Sequence, residues 1–397
     1  MRVTYGQSVH GEKEISSVLK VLKTSTQMGK NVDLLEKKIA KLFNKKYGIM
    51  LNSASSALLI VFEALNFKDN SEVITPALNF GTAISSIDKA NLFPRLVDVN
   101  AETFCVDESL IEKKINNKTV ALCIPNLVGN IPHWKKIKEI AKKHNLITIE
   151  DSADTLGATI KGSNTGKYSD ISITSFYGSH IINGAGNGGM LCLNDKKLYE
   201  KCLLLRSWGR SSSLFKENSE KIENRFNIKL DGIDYDKKFI FEEMGYNLEP
   251  SEISAAFALT QLNGLAGNIK KRSRNFIYNY NFFSKYPDLF IMPKTLTDVI
   301  TPWLAFPIII KNSAPFSRKD FQIYLEKNNI QTRVVFTGNI LRQPCFKKYK
   351  KFYAGEKFIE SDLVMKGGVL LGCHQGLTTR HLDYLHKKVE NFIKLNA

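Results

Sequence analysis

Residues 119–151, TVALCIPNLVGNIPHWKKIKEIAKKHNLITIED, contain a strand, a helix and a second strand in succession. TVALCIP (119–125) and LITIED (146–151) are short apolar runs, as expected of strands, and HWKKIKEIAKKHN between them has apolar residues at helical spacing. This alternation predicts a βαβ unit. Because the two strands of such a unit run in the same direction, it also predicts a parallel sheet.

The same alternation extends over the first two thirds of the chain. Further strands are predicted at YGIML (47–51), EVITP (72–76), LFPRLVDV (92–99), ISITSF (171–176) and GGMLCL (188–193). Helices are predicted at 12–23, 33–46 and 250–265, and the polar stretch 211–243 is predicted to be a long loop. The pattern indicates a three-layer α/β domain over residues 1–265, with an N-terminal arm at 1–12.

The last third has a different pattern. A helix at 268–285 is expected to lead into a second domain. After it, strand-like PIIIK and TRVVF (332–336) alternate with helical SRKDFQIYLEKN and TRHLDYLHKKVENFIK. We predict a smaller α+β domain over residues 266–397.

Composition narrows the class of protein. No run approaches the roughly 20 apolar residues of a membrane span, and the first residues lack a signal-peptide core, so we expect a cytoplasmic protein. The six cysteines form no C-x-x-C pair, so no metal site is predicted. The net charge of +17 favours anionic partners, but the chain has no nucleic-acid-binding motif; a phosphorylated small substrate is the simpler expectation.

Three segments carry residue types suited to chemistry. Asn52–Ala57 follows a strand and opens a helix, where exposed N–H groups bind phosphate, although serines there also act as plain helix caps. Glu150 and Asp151 end a strand, where a carboxylate can pair with a bound cation, although a carboxylate there is more often a plain helix cap. Residues 175–189, SFYGSHIINGAGNGG, place one imidazole, His180, in a glycine-rich turn, which favours a general base over a structural histidine.

The order of these motifs resembles the fold-type I sugar aminotransferases that act on nucleotide-linked keto-sugars. The similarity spans nearly the whole chain and includes Pro76–Phe80, Glu150–Asp154, Ser175–Tyr177 and Gly245–Leu248. It implies a pyridoxal or pyridoxamine phosphate cofactor and a homodimer. The cofactor-binding residues that it implies are Ala54 and Ser55 in the phosphate loop, Phe80 stacked on the ring, Asp151 at the pyridine nitrogen, Asp154 where glutamine is usual, Ser175 at the phosphate, and Asn247 reaching across the dimer interface.

One departure from the family decides the expected reaction. The lysine that binds the cofactor covalently is replaced by His180, so the cofactor must be held noncovalently as pyridoxamine phosphate. The same exchange marks the 3-dehydratases of nucleotide-linked 4-keto-6-deoxyhexoses, in which the histidine is the base. Four arginines are candidates for binding the nucleotide diphosphate of the substrate, and surface salt bridges are their alternative role. These candidates are Arg206, Arg210, Arg333 and Arg342.

The subgroup has two branches. The reductive branch carries an iron–sulfur cluster on four cysteines, whereas this chain reads Ser211-Ser212-Ser213 at the corresponding place, so no cluster is expected. The other branch regenerates the amine cofactor from L-glutamate and is the one we expect here. The remaining alternatives are an ordinary sugar aminotransferase and a noncatalytic relative that senses a ligand.

Overall fold

The computed structural model describes residues 1–215 and 225–396. Its α-helices are α1 (Glu12–Leu22), α2 (Lys30–Leu42), α3 (Ala54–Leu65), α4 (Gly81–Lys89), α5 (Glu108–Lys114), α6 (Trp134–Lys143), α7 (Lys196–Arg206), α8 (Glu252–Leu262), α9 (Leu265–Phe283), α10 (Arg318–Lys327), α11 (Ile359–Gly367) and α12 (Thr379–Asn396). Within these two ranges, no helix has the length and apolar character that crossing a bilayer requires.

Several of the strands have only two residues each. In chain order they are β1 (Tyr47–Leu51), β2 (Glu72–Pro76), β3 (Phe93–Val97), β4 (Val99–Asn100), β5 (Cys105–Val106), β6 (Thr119–Pro125), β7 (Ile147–Asp151), β8 (Thr159–Ile160), β9 (Ser163–Asn164), β10 (Ile171–Ser175), β11 (Gly189–Leu193), β12 (Ile228–Leu230), β13 (Ile233–Tyr235), β14 (Phe290–Ile291), β15 (Val299–Ile300), β16 (Phe306–Ile310) and β17 (Gly368–Leu371). β1, β2 and β6 have the predicted bounds.

The main sheet has seven strands in the order β1-β11-β10-β7-β6-β2-β3. β11 is antiparallel to both of its neighbours, and every other neighbouring pair is parallel. The carboxyl ends of the six remaining strands therefore lie at one edge of the sheet. In open α/β sheets this edge is where ligands bind.

Helices cover both faces of this sheet. On one face, α3, α4 and α7 pack against inward side chains such as Ile49 and Leu191. On the other face, α2 and α8 pack near Met50 and Met190, and α6 packs near Leu122. The predicted three-layer domain with a mostly parallel sheet is confirmed.

The C-terminal part forms a smaller unit around the antiparallel sheet β14-β16-β17. An aromatic cluster that includes Phe283, Phe306 and Phe321 fills its core. α9 spans both units: Leu265 at its start packs in the cluster of α2 and α8, and Phe283 at its end packs in the aromatic cluster. Val3 also lies in the aromatic cluster, so the N-terminal arm contacts the smaller unit. The boundary at residue 265 stays a prediction.

Two local expectations need correction. TRVVF (332–336) does not form a regular strand: Arg333 makes an isolated bridge to Leu370, and the chain turns at Phe336, where φ is 44°. The expected loop 211–243 contains the hairpin β12–β13, whose turn residues Asp231 and Gly232 both have positive φ. An Asp-Gly pair favours such a turn and is the signal that the loop prediction missed. Residues 216–224 of that prediction lie outside the described residues.

We expect the stability of the α/β unit to depend on Trp134 at the start of α6. Its side chain is fully buried, and its Nε1 donates a hydrogen bond of 2.7 Å to Asn126 Oδ1. Trp134→Ala should lower the free energy of unfolding by about 3–5 kcal/mol, because it opens a cavity and leaves a buried amide oxygen short of a donor. Urea titration followed by circular dichroism measures the loss.

Trp134→Phe separates the two effects. It keeps most of the buried aromatic surface and removes only the N–H donor, so it should cost about 1–3 kcal/mol. Equal losses for the Ala and Phe variants would contradict a packing role for the ring.

Candidate functional site

A cavity of about 410 Å³ opens at the carboxyl edge of the main sheet. It lies where β1, β7 and β10 end and where β11 begins, and Leu304 and Phe336 from the C-terminal part close its far side. Seven residues that the sequence singled out for catalysis or cofactor binding line it together. They are Ala54, Ser55, Phe80, Asp151, Asp154, Ser175 and His180.

One end of the cavity is built by the first turn of α3. Ser53 caps this helix by accepting a hydrogen bond from the Ser56 N–H at 3.1 Å, which leaves the N–H groups of Ala54 and Ser55 without helical partners. Gly189 at the start of β11 allows the close approach, since a Cβ there would collide with the Ala54 nitrogen and the Ser53 backbone. Free N–H groups, the helix dipole and nearby hydroxyls make this end suited to a phosphate group.

Two buried carboxyl groups lie at the base of the cavity. Asp151 accepts a hydrogen bond from the Ala153 N–H at 3.1 Å, and Asp154 accepts one from the Val128 N–H at 2.9 Å. Burial raises the pKa of Asp151 to about 6 and that of Asp154 to about 7, and each pKa is raised further by a neighbouring carboxylate. Within the described ranges neither aspartate has a cationic partner in ion-pair distance, so a positively charged ligand group would be favoured here.

His180 lies in the turn that joins β10 to β11. Backbone hydrogen bonds close this turn: the N–H of Phe176 donates to Gly188 O, and that of His180 donates to Tyr177 O, each at 2.9 Å. Burial, with the nearby Arg272 cation as a second cause, lowers the pKa of His180 to about 4. The backbone groups of Ala153 and Ser175 oppose this lowering only in part. The imidazole is therefore neutral at physiological pH, and the residue lines the cavity.

The mouth of the cavity is formed by aromatic rings. Phe80 caps α4, is 53% exposed, and meets the ring of Phe336 edge-on at 5.9 Å between centroids. The Asn79 side chain fixes this position by accepting a hydrogen bond of 2.7 Å from the Phe80 N–H. Thr337 in turn donates its hydroxyl to the Asn79 carbonyl at 2.7 Å. A flat ring system in the cavity would have Phe80 available for stacking.

The predicted diphosphate-binding arginines are not brought to the cavity. The guanidinium of Arg206 is buried, forms an ion pair of 2.9 Å with Glu36 and donates to the Met50 carbonyl at 3.1 Å. Arg210 stacks on Trp208, with 4.3 Å between the guanidinium carbon and the ring centroid. For Arg206 the contacts do not support a diphosphate role, because its charge already serves a buried carboxylate.

The other three predicted residues also lie elsewhere. Arg342 makes a two-point ion pair with Asp362, with distances of 2.5 and 2.6 Å. Arg333 is exposed beside the Tyr5 ring, 5.6 Å from its centroid. Asn247 is exposed, forms an isolated bridge with Ser207 just after α7, and does not line the cavity. Any role for these residues therefore needs a substrate that extends out of the cavity, or a second copy of the chain.

Sequence inspection missed several residues of the site. Tyr5 from the N-terminal arm forms part of the wall, and Tyr177 presents its ring edge to His180 at 5.7 Å. Arg272 on α9 donates hydrogen bonds to the backbone carbonyl of His180 at 3.3 Å and lies fully buried. Of these residues, only Arg272 could have been predicted to be buried from the sequence. It shares one face of the predicted helix with Phe276 and Phe283, and an apolar face of this kind points to the interior.

The raised pKa of Asp154 predicts a pH-dependent stability. The folded protein holds a proton at Asp154 up to about pH 7, whereas the unfolded chain releases it near pH 4, so this group destabilises the fold as the pH rises through that window. Asp154→Asn removes the ionisation. Its stability relative to the parent protein should grow by roughly 2 kcal/mol from pH 5 to pH 8.

Urea unfolding of the cofactor-free protein at the two pH values measures this difference. Asp288→Asn, at an exposed position, is the matched control and should show little change. A pH-independent effect of Asp154→Asn would argue against a carboxyl group that ionises at a cost in the folded state.

Comparisons with known proteins agree with this architecture. Residues 9–390 match the model of the DegT/DnrJ/EryC1/StrS aminotransferase family. The lipopolysaccharide biosynthesis protein RfbH of Salmonella typhimurium is 32% identical over 378 residues, which is 93% of this chain and 86% of RfbH. The GDP-4-keto-6-deoxy-D-mannose 3-dehydratase of Yersinia pseudotuberculosis is 28% identical over 376 residues, 93% of each chain.

A solved structure is similar over the same length. The Escherichia coli GDP-4-keto-6-deoxy-D-mannose 3-dehydratase with bound hydrated PLP superposes with a TM-score of 0.84 at 26% identity, covering 98% of this chain and all of that chain. The seven-stranded sheet, the site at its carboxyl edge and the match over residues 9–390 lead to one assignment. This chain is a member of the DegT/DnrJ/EryC1/StrS family of sugar aminotransferases, whose enzymes depend on pyridoxal or pyridoxamine phosphate.

Proposed function

We propose that this enzyme is a pyridoxamine-phosphate-dependent 3-dehydratase of a nucleotide-linked 4-keto-6-deoxyhexose. One observation carries the proposal. The cavity is lined by an imidazole and two carboxyl groups, and none of its lining residues in the described ranges is a lysine. Without a lysine amine among the lining residues the cofactor stays untethered, and the reaction depends on a base that cannot bind it covalently.

The residues present fit the cofactor. The first turn of α3 can take the phosphate, Ser175 lies beside it at the end of β10, and Phe80 can stack on the ring. Asp151, buried and without a cation of its own in the described ranges, can pair with a protonated pyridine nitrogen. When bound, pyridoxamine phosphate supplies an amine that condenses with the sugar ketone and a ring that accepts electrons.

His180 supplies the proton transfers. Its lowered pKa keeps the imidazole in the base form at neutral pH, and the residue lines the cavity. In the proposed reaction the imidazole would remove a proton from the methylene carbon that bears the cofactor amine. It would then return a proton to the departing C3 hydroxyl of the sugar, so one group acts as base and as acid. In the net reaction, the C3 hydroxyl of the sugar would be replaced by hydrogen, which gives a 3-deoxy ketone. L-Glutamate would supply the two electrons for this reduction, and it would leave as 2-oxoglutarate and ammonia.

An ordinary aminotransferase of nucleotide sugars is the second candidate, because the matching family is named for that activity. Incubation with pyridoxal phosphate followed by borohydride separates the two candidates. A covalent adduct on a lysine of this chain would favour the aminotransferase, and its absence together with retained cofactor would favour the dehydratase.

We also propose that a second copy of the chain completes the site. Asn247 lies outside the cavity of its own chain, on a surface that carries exposed apolar side chains. Ile233 is 68% exposed, Phe241 60% and Met244 94%. Asn247, which is expected to reach a phosphate, thus lies on an exposed apolar surface. Such a surface suits burial against an identical copy of the chain.

The dehydratase activity can be tested directly. The purified protein is mixed with pyridoxamine phosphate, L-glutamate and a panel of nucleotide-linked 4-keto-6-deoxyhexoses. A product lighter than the substrate by one oxygen atom, together with ammonia and 2-oxoglutarate, is the expected result. A 4-amino sugar of otherwise unchanged composition would instead identify an aminotransferase.

Replacing His180 tests its role in proton transfer. His180→Asn should reduce dehydration at least 100-fold, since loss of a general base typically costs 10²–10⁴ in rate. Cofactor affinity should change little, and it is measured by the absorbance of the bound cofactor. His180→Lys should also lose dehydration, because the amine would capture the cofactor and favour amino transfer.

His144→Asn is the matched control, since that histidine lies on the surface in contact with Glu112. It should retain full turnover. Full dehydratase turnover in His180→Asn would contradict the assignment of the base.

The second-copy proposal predicts that a charge on the apolar surface dissociates the enzyme. Met244→Glu should shift the protein toward monomer in sedimentation velocity and lower turnover at least 10-fold, because a buried unpaired carboxylate is costly. Leu395→Glu, on α12 at a position that is 75% exposed, is the control and should change neither property. A fully active monomeric Met244→Glu protein would rule out a shared site.

A further inference from the structure

The N-terminal segment Val3–Val9 runs across both units of the protein. Val3 pairs with the chain beyond α10: its N–H donates to Asn329 O at 2.9 Å, and its carbonyl accepts from the Gln331 N–H at 2.8 Å. At the other end, the Gln261 side chain of α8 donates to the Val9 carbonyl at 2.7 Å. The segment is therefore fixed to the smaller unit at one end and to the α/β unit at the other.

The motif Gly372-Cys373-His374-Gln375-Gly376 receives the segment. A Cβ at Gly372 would collide with the Thr4 carbonyl, and a Cβ at Gly376 would lie 2.8 Å from Val9 Cγ2. His374 accepts a hydrogen bond from the Gly376 N–H through Nδ1 at 3.2 Å, so its Nε2 carries the proton and donates to the Thr4 carbonyl at 3.2 Å. The two glycines and the histidine thus hold Thr4 in place.

The middle of the segment packs against the loop that carries His180, the proposed base. A Cβ at Gly6 would lie only 2.8 Å from Ser179 Cβ, next to His180 in the chain. Arg272 also contacts this loop and donates to the carbonyls of Ser179 and His180 at 3.5 and 3.3 Å. The same guanidinium donates to the Gln375 side chain at 2.7 Å, so it links the loop to the motif that holds Thr4.

The helix α9 anchors this arrangement. Asn275 donates its side-chain N–H to the His374 carbonyl at 3.0 Å, and Asn279 donates to the Gly372 carbonyl at 3.4 Å. Together with Arg272 these residues form a polar line on a buried helix face. The loop with His180 therefore has two rigid neighbours, the α9 face and the N-terminal segment.

We propose that the segment Val3–Val9 is a clamp that sets the position of the His180 imidazole, with Gly6 as the positioning residue. Gly6 lets the segment lie against Ser179, and the motif 372–376 keeps it there. Any side chain at position 6 pushes residues 179 and 180 away from their places. The inference rests on the proposed role of His180, but it concerns the ring position, which can be measured without turnover.

The experiment adds a single methyl group and then removes the atom that it meets. Gly6→Ala is compared with Gly11→Ala, where a Cβ has nothing within 4 Å, and with the double variant Gly6→Ala/Ser179→Gly, which restores the space. Ser179→Gly alone is the reference for the double variant. Thr4→Val, which loosens the clamp by removing the hydroxyl contact with His374 at 3.0 Å, is a milder probe if Gly6→Ala does not fold.

Two readouts are used on each variant. The pKa of His180 is measured in the cofactor-free protein by NMR of labelled histidines, with His180→Asn for assignment. Since burial and Arg272 lower this pKa, displacement of the ring toward solvent should raise it by about one unit or more in Gly6→Ala. Turnover should fall at least 10-fold with the substrate KM changed less than threefold, because the base and not substrate binding is displaced.

The outcomes are distinct. Gly11→Ala should behave as the parent protein, and the double variant should recover the pKa and turnover of Ser179→Gly. Thr4→Val should raise the pKa of His180 by a smaller amount. Unchanged pKa and turnover in Gly6→Ala, or in Thr4→Val should Gly6→Ala not fold, would overturn the clamp, as would failure of the double variant to recover. A raised pKa in a protein without dehydratase activity would support the clamp and count only against the proposed function.

Discussion

The buried guanidinium of Arg272 is the contact on which the site depends. It has no carboxylate in ion-pair distance among the described residues, and carbonyl groups satisfy it instead. Burial lowers its pKa to about 10, so it remains charged at neutral pH. A buried cation without hydrogen-bond acceptors would lower the stability of the fold. The guanidinium therefore holds three segments together: the loop of His180, the turn at Trp303–Leu304 and the side chain of Gln375. The two units of the chain are thereby joined beside the loop that carries His180.

The electrostatics of the cavity follow from what surrounds it. Asp151 and Asp154 lie at its base, and within the described ranges no lysine or arginine side chain lines it. Buried carboxyl groups favour a cation such as a protonated ring nitrogen, whereas a phosphate has only backbone N–H groups and hydroxyls from its own chain. Cationic groups for the proposed nucleotide-linked substrate would therefore come from the rim or from another copy of the chain. Arg206 cannot be one of them while its charge serves Glu36.

The setting of His180 suits the base that the proposed reaction requires. Desolvation holds the pKa of the imidazole near 4, which keeps it available as a base. A lysine in the same turn would bind the cofactor and serve amino transfer. The glycine-rich turn allows the ring to lie at the strand end, with Ala185 and Gly188 in positive-φ conformations that close the turn. The clamp of Val3–Val9 then limits where the ring can point.

The fold class and most residues at the base of the cavity could be predicted from the amino-acid sequence. The strand bounds at 47–51, 72–76 and 119–125 could be predicted because alternation of apolar runs is a local property, and the motifs at Ala54, Asp151 and Ser175 lie at the ends of strands whose carboxyl ends share one edge. The long-range contacts could be seen only in the folded chain. The pairing of Arg206 with Glu36, the wall formed by Tyr5, and the grip of Arg272 on the His180 loop join residues far apart in the chain. Nothing in local spacing encodes these contacts, because they depend on how elements distant in the chain pack against each other.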